Sequence, residues 1–293
     1  MPGRLERWVR LFALAVAVLG VLLLIGAAFS VNVRPDAEAY WLAAQRLREG
    51  LPLYGGPRGD ETEIYRYAPW FAYAWVPLTY LGHDAAFAVW RGILLAASLV
   101  AIWPLLRQPT VAAVALAVLF GGLLVSALPP ANATPLMVGA LVLGLRTRIG
   151  PILVGLAGSL KVFPLLFVSG YLAERRWVQA FVAIGVAAVL WLHILAFDVG
   201  LFAQIGGPSF YVGGVSLIGV SPLLWLPVAI GCLLAGIVLA VRKSPWIWLA
   251  AGAAIPLAVP RVWLPDAAYL LPGAIMLLRT IEDRRRSRAG NHP

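Results

Sequence analysis

The sequence predicts an all-α polytopic membrane protein of about eight full spans plus short re-entrant helices, on three observations. Hydrophobic residues fill 61% of the 293 positions and charged residues 12%, with a mean hydropathy of +0.87; a soluble domain carries roughly twice that share of charge. Apolar runs recur that approach the ~20 residues a helix needs to cross ~30 Å of hydrocarbon. Between them lie short clusters of arginine, the pattern produced by the positive-inside rule. Lipid offers a backbone no hydrogen-bond partner, and the alternating pattern of a membrane barrel is missing from the sequence, so the runs read as helices.

Arg4, Arg7 and Arg10 precede Leu11 to Phe29. That stretch is longer than a secretory h-region and no small-x-small cleavage site follows it, so it is expected to stay as a first span with its N-terminus inside. Residues 31–68 form a polar loop holding Asp36, Glu38, Glu49, Asp60, Glu61 and Glu63. Within it Pro35 opens and Gly50 closes a helical frame. Tyr40, Ala43, Ala44 and Leu47 share one face, and this amphipathic helix is expected to lie on the membrane surface. Trp70 to Leu81 is too short to cross and is expected to dip in from outside and return. Further spans are expected at Ala85 to Leu106, Val111 to Leu128, the run ending at Leu145, Val178 to Ala196, Leu223 to Val241, Trp246 to Val259 and Leu264 to Leu278.

Placing the basic clusters inside decides the remainder. Arg146 and Arg148 precede Ile149 to Leu172, and Arg175 and Arg176 follow it, so a shared compartment forbids a single crossing there. The segment is expected to be a re-entrant hairpin broken near Lys161-Val162-Phe163-Pro164, with a single crossing as the alternative. Both termini are then cytoplasmic and the carboxylates fall mostly outside. The chain reads as one transmembrane domain, residues 1–293, with no internal repeat. Its tail, residues 279–293, reads as a basic cytoplasmic anchor facing anionic membrane lipids.

The net charge of +10 does not point to nucleic acid, because the cations sit in short clusters between apolar runs. Cys232 is the only cysteine, so no intramolecular disulfide forms. His83, His193 and His292 are too dispersed for a metal site. No nucleotide-binding loop or nucleophile elbow is present.

Ionisable groups at membrane depth are costly, so each asks for a reason. Lys161, at the hairpin tip beside exposed backbone N–H groups, suits a phosphate; the plainer reading is a lysine snorkelling to the interface. Removing it should then relieve a cost and leave folding intact. Arg91 either covers a phosphate or pairs with an acid between helices. Asp36 stands in the first turn of its helix, where the dipole favours the ionised form, and with Glu38 is a candidate general base. A loop carboxylate is commonly only solvated. Tyr65-Arg66-Tyr67 sets a cation between aromatics ahead of Pro69, suited to holding a sugar or to anchoring the interface. Arg261 and Asp266, with Tyr269 a turn further on, form a pair that is either functional or structural. The Asn132-Ala133-Thr134 sequon is followed by Pro135 beside the membrane and is not expected to be glycosylated.

Four stretches resemble the bacterial family 87 glycosyltransferases of the GT-C superfamily, among them the polyprenyl-phosphate-mannose-dependent mannosyltransferases of actinobacteria. They are Asp36-x-x-x-Tyr40-Trp41-x-Ala43-Ala44 leading to Gly50-x-Pro52-Leu53-Tyr54, then Tyr65-Arg66-Tyr67-Ala68-Pro69, then Leu160-Lys161-Val162-Phe163-Pro164 with Arg175-Arg176-Trp177, and Gly214-Val215-Ser216-Leu217. The chain departs from the family at Ala68-Pro69, where Pro-Pro is usual, and at Pro130-Ala131-Asn132, where a Gly-Gln-x-Asn-type element is usual.

The resemblance implies a GT-C-like bundle that moves a sugar, mannose foremost, from a polyprenyl-phosphate carrier to a lipid or glycan acceptor. The reaction, a single inverting displacement, would take place at the extracytoplasmic face of a bacterial cell membrane. It implies Asp36 as the base and Lys161, with Arg66 or Arg261, at the donor phosphate. Glu38, Tyr40, Tyr65, Tyr67, Asn132, Asp266 and Tyr269 are the candidates around the substrates. A phosphodiester donor carries one negative charge, so no metal and no other cofactor is expected. The rivals are a transporter or lipid flippase, which favours internal repeats and acidic residues within spans, and a non-catalytic membrane scaffold.

Overall fold

The computed structural model describes residues 35–54, 65–107, 111–145, 147–192, 217–260 and 262–289, with Arg7, Trp8, Leu11, Ala15, Val18, Leu19, Leu22, Ile25, Gly26 and Phe29. Among the described residues every regular element is helical and none is a strand. The α-helices are α1 Pro35–Arg48, α2 Pro69–Trp75, α3 His83–Leu106, α4 Val111–Val125, α5 Thr134–Gly144, α6 Gly150–Leu160, α7 Val168–Ala173, α8 Trp177–Leu192, α9 Leu217–Val220, α10 Pro222–Val241, α11 Ile247–Ala258 and α12 Leu270–Ala289. Short 3-10 turns cover Val76–Tyr80, Phe163–Phe167 and Leu264–Tyr269. The described positions between Arg7 and Phe29 are helical as well.

Among the described residues three helical stretches, His83–Leu106, Pro222–Val241 and Leu264–Ile281, are long and apolar enough to cross a membrane. The other apolar helices found among the described residues are 10–17 residues long. Their brevity has local causes. Pro151 starts α6 and Lys161, extended at φ −136 and ψ 134, stops it. Pro164 then opens the 3-10 turn that leads into α7.

Residues 149–173 form a hairpin. A Cβ on Gly158 would stand 2.6 Å from Leu165, and one on Gly150 would stand 3.0 Å from the Tyr171 hydroxyl. A continuous helix would hold Gly150 and Tyr171 roughly 30 Å apart. The two arms therefore run side by side, with Lys161 and Val162 at the tip. Trp70 to Leu81 was expected to dip in and return, and instead runs on in one direction: α2 passes through helical Val76 into the 3-10 turn. The reversal comes after it, at Gly82 with φ 79, which leads into α3 and sets Trp75 against Phe87 and Trp90.

These reversals sort the molecule into two ends. Arg107, Arg148, Arg175, Arg176, Arg242 and Lys243 all follow or precede helix ends at one of them. The tips that carry Asn132, Lys161 and Asp266 meet at the other. Trp90 and Arg91, about two turns inside α3 from its His83 end, contact the 128–131 turn, so these tips lie roughly 10 Å inside that end of α3.

The face of α1 was expected to meet lipid, and here the structure corrects the sequence. Ala37, Tyr40 and Ala44 are fully buried and Trp41 nearly so. Tyr40 packs edge-on against Tyr67 and Phe71 at 5.0 and 4.9 Å, and Trp75 meets Trp90 at 5.0 Å. Protein interior and hydrocarbon place the same demand on an apolar face, and α2 with α3 supplies the cover. Each such ring pair adds about 0.5–1.5 kcal/mol beyond its buried area.

Small residues let the arms close. A Cβ on Gly155 would stand 2.6 Å from the Ala183 carbonyl oxygen and 2.7 Å from Val186, so α6 and α8 touch through that glycine. Gly155→Val is expected to cost about 1–3 kcal/mol, since a backbone atom has nowhere to retreat. A thermal unfolding curve in detergent that matches the parent's would contradict this contact.

Candidate functional site

The site is built on the turn between α4 and α5. Ala131 holds φ 56, a left-handed conformation that costs a non-glycine residue about 1–3 kcal/mol and persists only where its surroundings impose it. They do. The Ala131 N–H donates to Leu128 at 3.1 Å and the Asn132 N–H to Ala127 at 3.0 Å. Trp90 Nε1 donates to the Ala131 carbonyl at 2.9 Å. Arg91, 3% exposed, donates through Nε to Leu128 and through Nη2 to Pro129, each at 3.1 Å. Arg91 thus neutralises carbonyls at the C-terminal end of α4, a role the sequence left open.

Asp36 is fixed to the same turn twice. Its backbone N–H donates to Pro130 at 3.2 Å, and its Oδ2 accepts from Asn132 Nδ2 at 3.0 Å. The other end of the Asn132 amide faces three donors. Oδ1 accepts from the Thr134 N–H at 2.9 Å, from the Thr134 hydroxyl at 2.7 Å and from Lys161 Nζ at 3.4 Å. These donors settle which end of the amide points at Asp36.

Lys161 is 14% exposed and Asp266 1% exposed, and they pair at 3.0 Å. Nζ also donates to Thr134 Oγ1 at 3.1 Å. The Thr134 hydroxyl stands 2.7 Å from Asp266 Oδ1, and Asp266 Oδ2 accepts from the Trp263 N–H at 3.0 Å. One connected group therefore runs Asp36, Asn132, Thr134, Lys161, Asp266.

An aromatic layer lies beside it. The Tyr40 hydroxyl donates to Tyr67 Oη at 3.0 Å, Tyr65 to the Ala68 carbonyl at 2.7 Å, and Tyr269 to Met137 Sδ at 3.3 Å. Burial, then Tyr67 and then Asp36, hold the Tyr40 phenol well above its ordinary pKa, so it stays a neutral donor. Burial likewise raises Tyr65. Phe163 meets Tyr269 edge-on at 5.5 Å and lies 5.4 Å from Lys161 Nζ.

Of the residues singled out in the sequence, Asp36, Asn132, Lys161 and Asp266 are joined directly, and Tyr40, Tyr67 and Tyr269 line the same region. Tyr40 and Tyr269 are fully buried, and Tyr65 is turned to the backbone of its own strand of chain. Glu38 points elsewhere, to His83 Nε2 at 2.9 Å. Arg66 is half-buried between Tyr65 and Tyr67. Arg261 and Gly214 to Ser216 lie outside the described residues. Thr134 was missed, although its place two residues after Asn132 was the available signal. Among the described residues no group of three His, Cys, Asp or Glu side chains is placed to hold a metal ion. The chain matches no protein-family model, no curated protein and no solved structure.

The Lys161–Asp266 pair overturns the expectation that losing Lys161 would relieve a cost. Lys161→Ala leaves the Asp266 carboxylate buried without its counter-charge, and breaking such a pair costs about 3–5 kcal/mol. Asp266→Leu together with Lys161→Met should recover most of that loss. Unfolding midpoints for the two single variants and the double give the comparison; equal midpoints for parent and Lys161→Ala would refute the pair.

Proposed function

We propose that this chain is a membrane transferase that moves a sugar from a polyprenyl-phosphate carrier to a lipid or glycan acceptor by one inverting displacement. The observation that carries this reading is the Asn132 amide, which holds the Asp36 carboxylate at one end and the Lys161 ammonium at the other. A base for an acceptor hydroxyl and a cation for a leaving phosphate are what such a displacement needs, preorganised and partly out of water.

On this reading Asp36 accepts the proton of the acceptor hydroxyl as its oxygen attacks the anomeric carbon. The bond from that carbon to the phosphate oxygen breaks, and polyprenyl phosphate leaves with the electron pair. Asp36 is only partly exposed, and its two attachments to the 130–132 turn hold it in place. Lys161 alone does not balance the charge. Asp36 and Asp266 carry two negative charges against its one, so a phosphodiester needs a second cation. Arg66 or Arg261 fills that role here.

The membrane orientation belongs to the same proposal. The arginine-bearing end is cytoplasmic, with both termini, and the Asp36 end is extracytoplasmic. Exposed Trp103, Trp177 and Trp246 near one end, and exposed Tyr80 and Trp263 near the other, support two interfacial belts. About eight spans and a GT-C-like bundle complete the picture. A second reading, transport, is favoured by the buried Lys161–Asp266 pair with a hydroxyl beside it, since such groups also relay protons through membranes.

Asp36→Asn keeps the volume and removes the proton acceptor. Transfer should fall ~10²–10⁴-fold while polyprenyl-phosphate sugar still binds. Parental transfer by this variant would dismiss the base, and proton-linked flux without transfer by the parent would favour transport. Orientation is read separately on a Cys232→Ser background. Single cysteines at Thr147 and Glu174 should stay unlabelled by an impermeant thiol reagent applied outside, and labelling of either would invert the assignment.

A further inference from the structure

Thr134 is the first residue of α5 and is fully buried. Its backbone and its side chain converge on one atom: Asn132 Oδ1 accepts from the Thr134 N–H at 2.9 Å and from the Thr134 hydroxyl at 2.7 Å. Pro135 follows and has no N–H, so the hydroxyl is a second donor that the next backbone position cannot supply. The third donor, Lys161 Nζ, stands furthest off at 3.4 Å. An ammonium has three protons, and those of Lys161 are shared among Asn132 Oδ1, Thr134 Oγ1 and Asp266 Oδ1. A phosphate oxygen reaches Lys161 only by taking a proton from one of these acceptors. The bond to Asn132 is the longest and weakest of the three, and the 3.0 Å bond to Asp266 is the one a buried carboxylate cannot lose. The Thr134 hydroxyl also stands 2.7 Å from Asp266 Oδ1. Asp266 keeps Lys161 and the Trp263 N–H, which leaves the hydroxyl proton to Asn132 when Lys161 turns away from it.

We propose that Thr134 is the positioning residue for the Asp36 carboxylate, acting through the Asn132 amide, and that it thereby frees Lys161 to meet a phosphate. Its two donors hold Asn132 Oδ1 in place, which keeps Nδ2 turned to Asp36 Oδ2 at 3.0 Å while Lys161 lends a proton elsewhere. Without the hydroxyl, one ammonium would have to hold the base's support and stabilise the leaving group at the same moment. Thr134 separates the two tasks. Its consequence for catalysis rests on the proposed function; the positioning of Asp36 does not.

The full chain in liposomes of bacterial membrane lipid tests this, with polyprenyl-phosphate mannose as donor and polyprenyl phosphate as the binding probe. Thr134→Val keeps the shape and removes the hydroxyl. Release of polyprenyl phosphate from the donor should slow about tenfold, the effect of one lost hydrogen bond on a placed base. Polyprenyl phosphate itself should bind the variant no more weakly than the parent, since Lys161 loses an acceptor and keeps its protons. Thr134→Ser should restore the rate and Thr134→Ala should not, a pair that isolates the hydroxyl should valine fail to fold. Parental release by Thr134→Val overturns the proposal. So does weakened binding, which ties Thr134 to Lys161 alone, and so does a serine variant as slow as the alanine one. A second measurement needs no transfer. Unfolding midpoints of Thr134→Val, Asp36→Ala and the double variant should show a loss in the double smaller than the sum of the singles, because an Asn132 amide released at both ends is free to turn to other partners. Additive losses overturn the coupling. A parent that releases no polyprenyl phosphate sinks the proposed function by itself, and the midpoints still decide whether Thr134 positions Asp36.

Discussion

A lysine and an aspartate set 105 residues apart meet at 3.0 Å in a part of the chain otherwise surrounded by apolar helices, and much else follows from that pair. Neither charge is tolerable alone in such surroundings, so the hairpin tip and the Leu264–Tyr269 turn must come together as the chain folds. The 132–134 turn joins them because each partner has hydrogen-bonding capacity left to fill. The Thr134 hydroxyl has a single proton and stands 2.7 Å from two acceptors, Asn132 Oδ1 and Asp266 Oδ1. Lys161 Nζ serves the same two residues and Thr134 as well. Loss of any member would leave the others short of a partner, which is why a network of this kind is either complete or harmful.

The pair also explains the lengths of the helices around it. An α6 or α5 that ran on for another two turns would carry Lys161 or Asn132 past Asp266. Each helix stops at 11 residues, ended on one side by Lys161 in an extended conformation and begun on the other by a proline after a left-handed Ala131. The strain at Ala131 is balanced by Trp90 and Arg91, which hold the turn's carbonyls from α3. Arg91, nearly fully buried, is a support for the site and stands one layer behind it.

What the sequence made legible was whatever one segment settles by itself. Arginine clusters gave the two ends, because crossing lipid with a guanidinium is costly whatever the partner. The Lys-Val-Phe-Pro run gave the hairpin tip, because a proline and an internal charge both interrupt a helix. Asp36, Asn132, Lys161 and Asp266 could each be named as polar residues next to apolar runs. Which of them would touch could not be read, since Asp266 is equally placed in sequence to pair with Arg261 and is in fact bound to Lys161. The cover over α1 was illegible for a related reason: an apolar face records that water is excluded and says nothing of what excludes it. Thr134 was read only as part of a sequon, because the value of one hydroxyl at the start of an apolar helix appears only when two acceptors, Asn132 Oδ1 and Asp266 Oδ1, arrive.

Depth constrains what can reach Asp36. The cluster lies roughly two helical turns inside the His83 end of α3, and on the Asp36 side Tyr40, Tyr67, Phe71, Trp75 and Trp90 pack into a continuous aromatic layer. A water-soluble substrate arriving from that end meets that layer first. On the proposed function, a substrate tethered to an isoprenoid would lie in the hydrocarbon and reach the cluster from the side, where Val162, Leu166 and Leu264 are exposed. A free sugar nucleotide, with a highly charged leaving group, gains nothing from such an approach. On the proposed function, a carrier whose single phosphate charge sits between a long apolar tail and a sugar would match exposed apolar side chains set beside a buried Lys161 and Asp266.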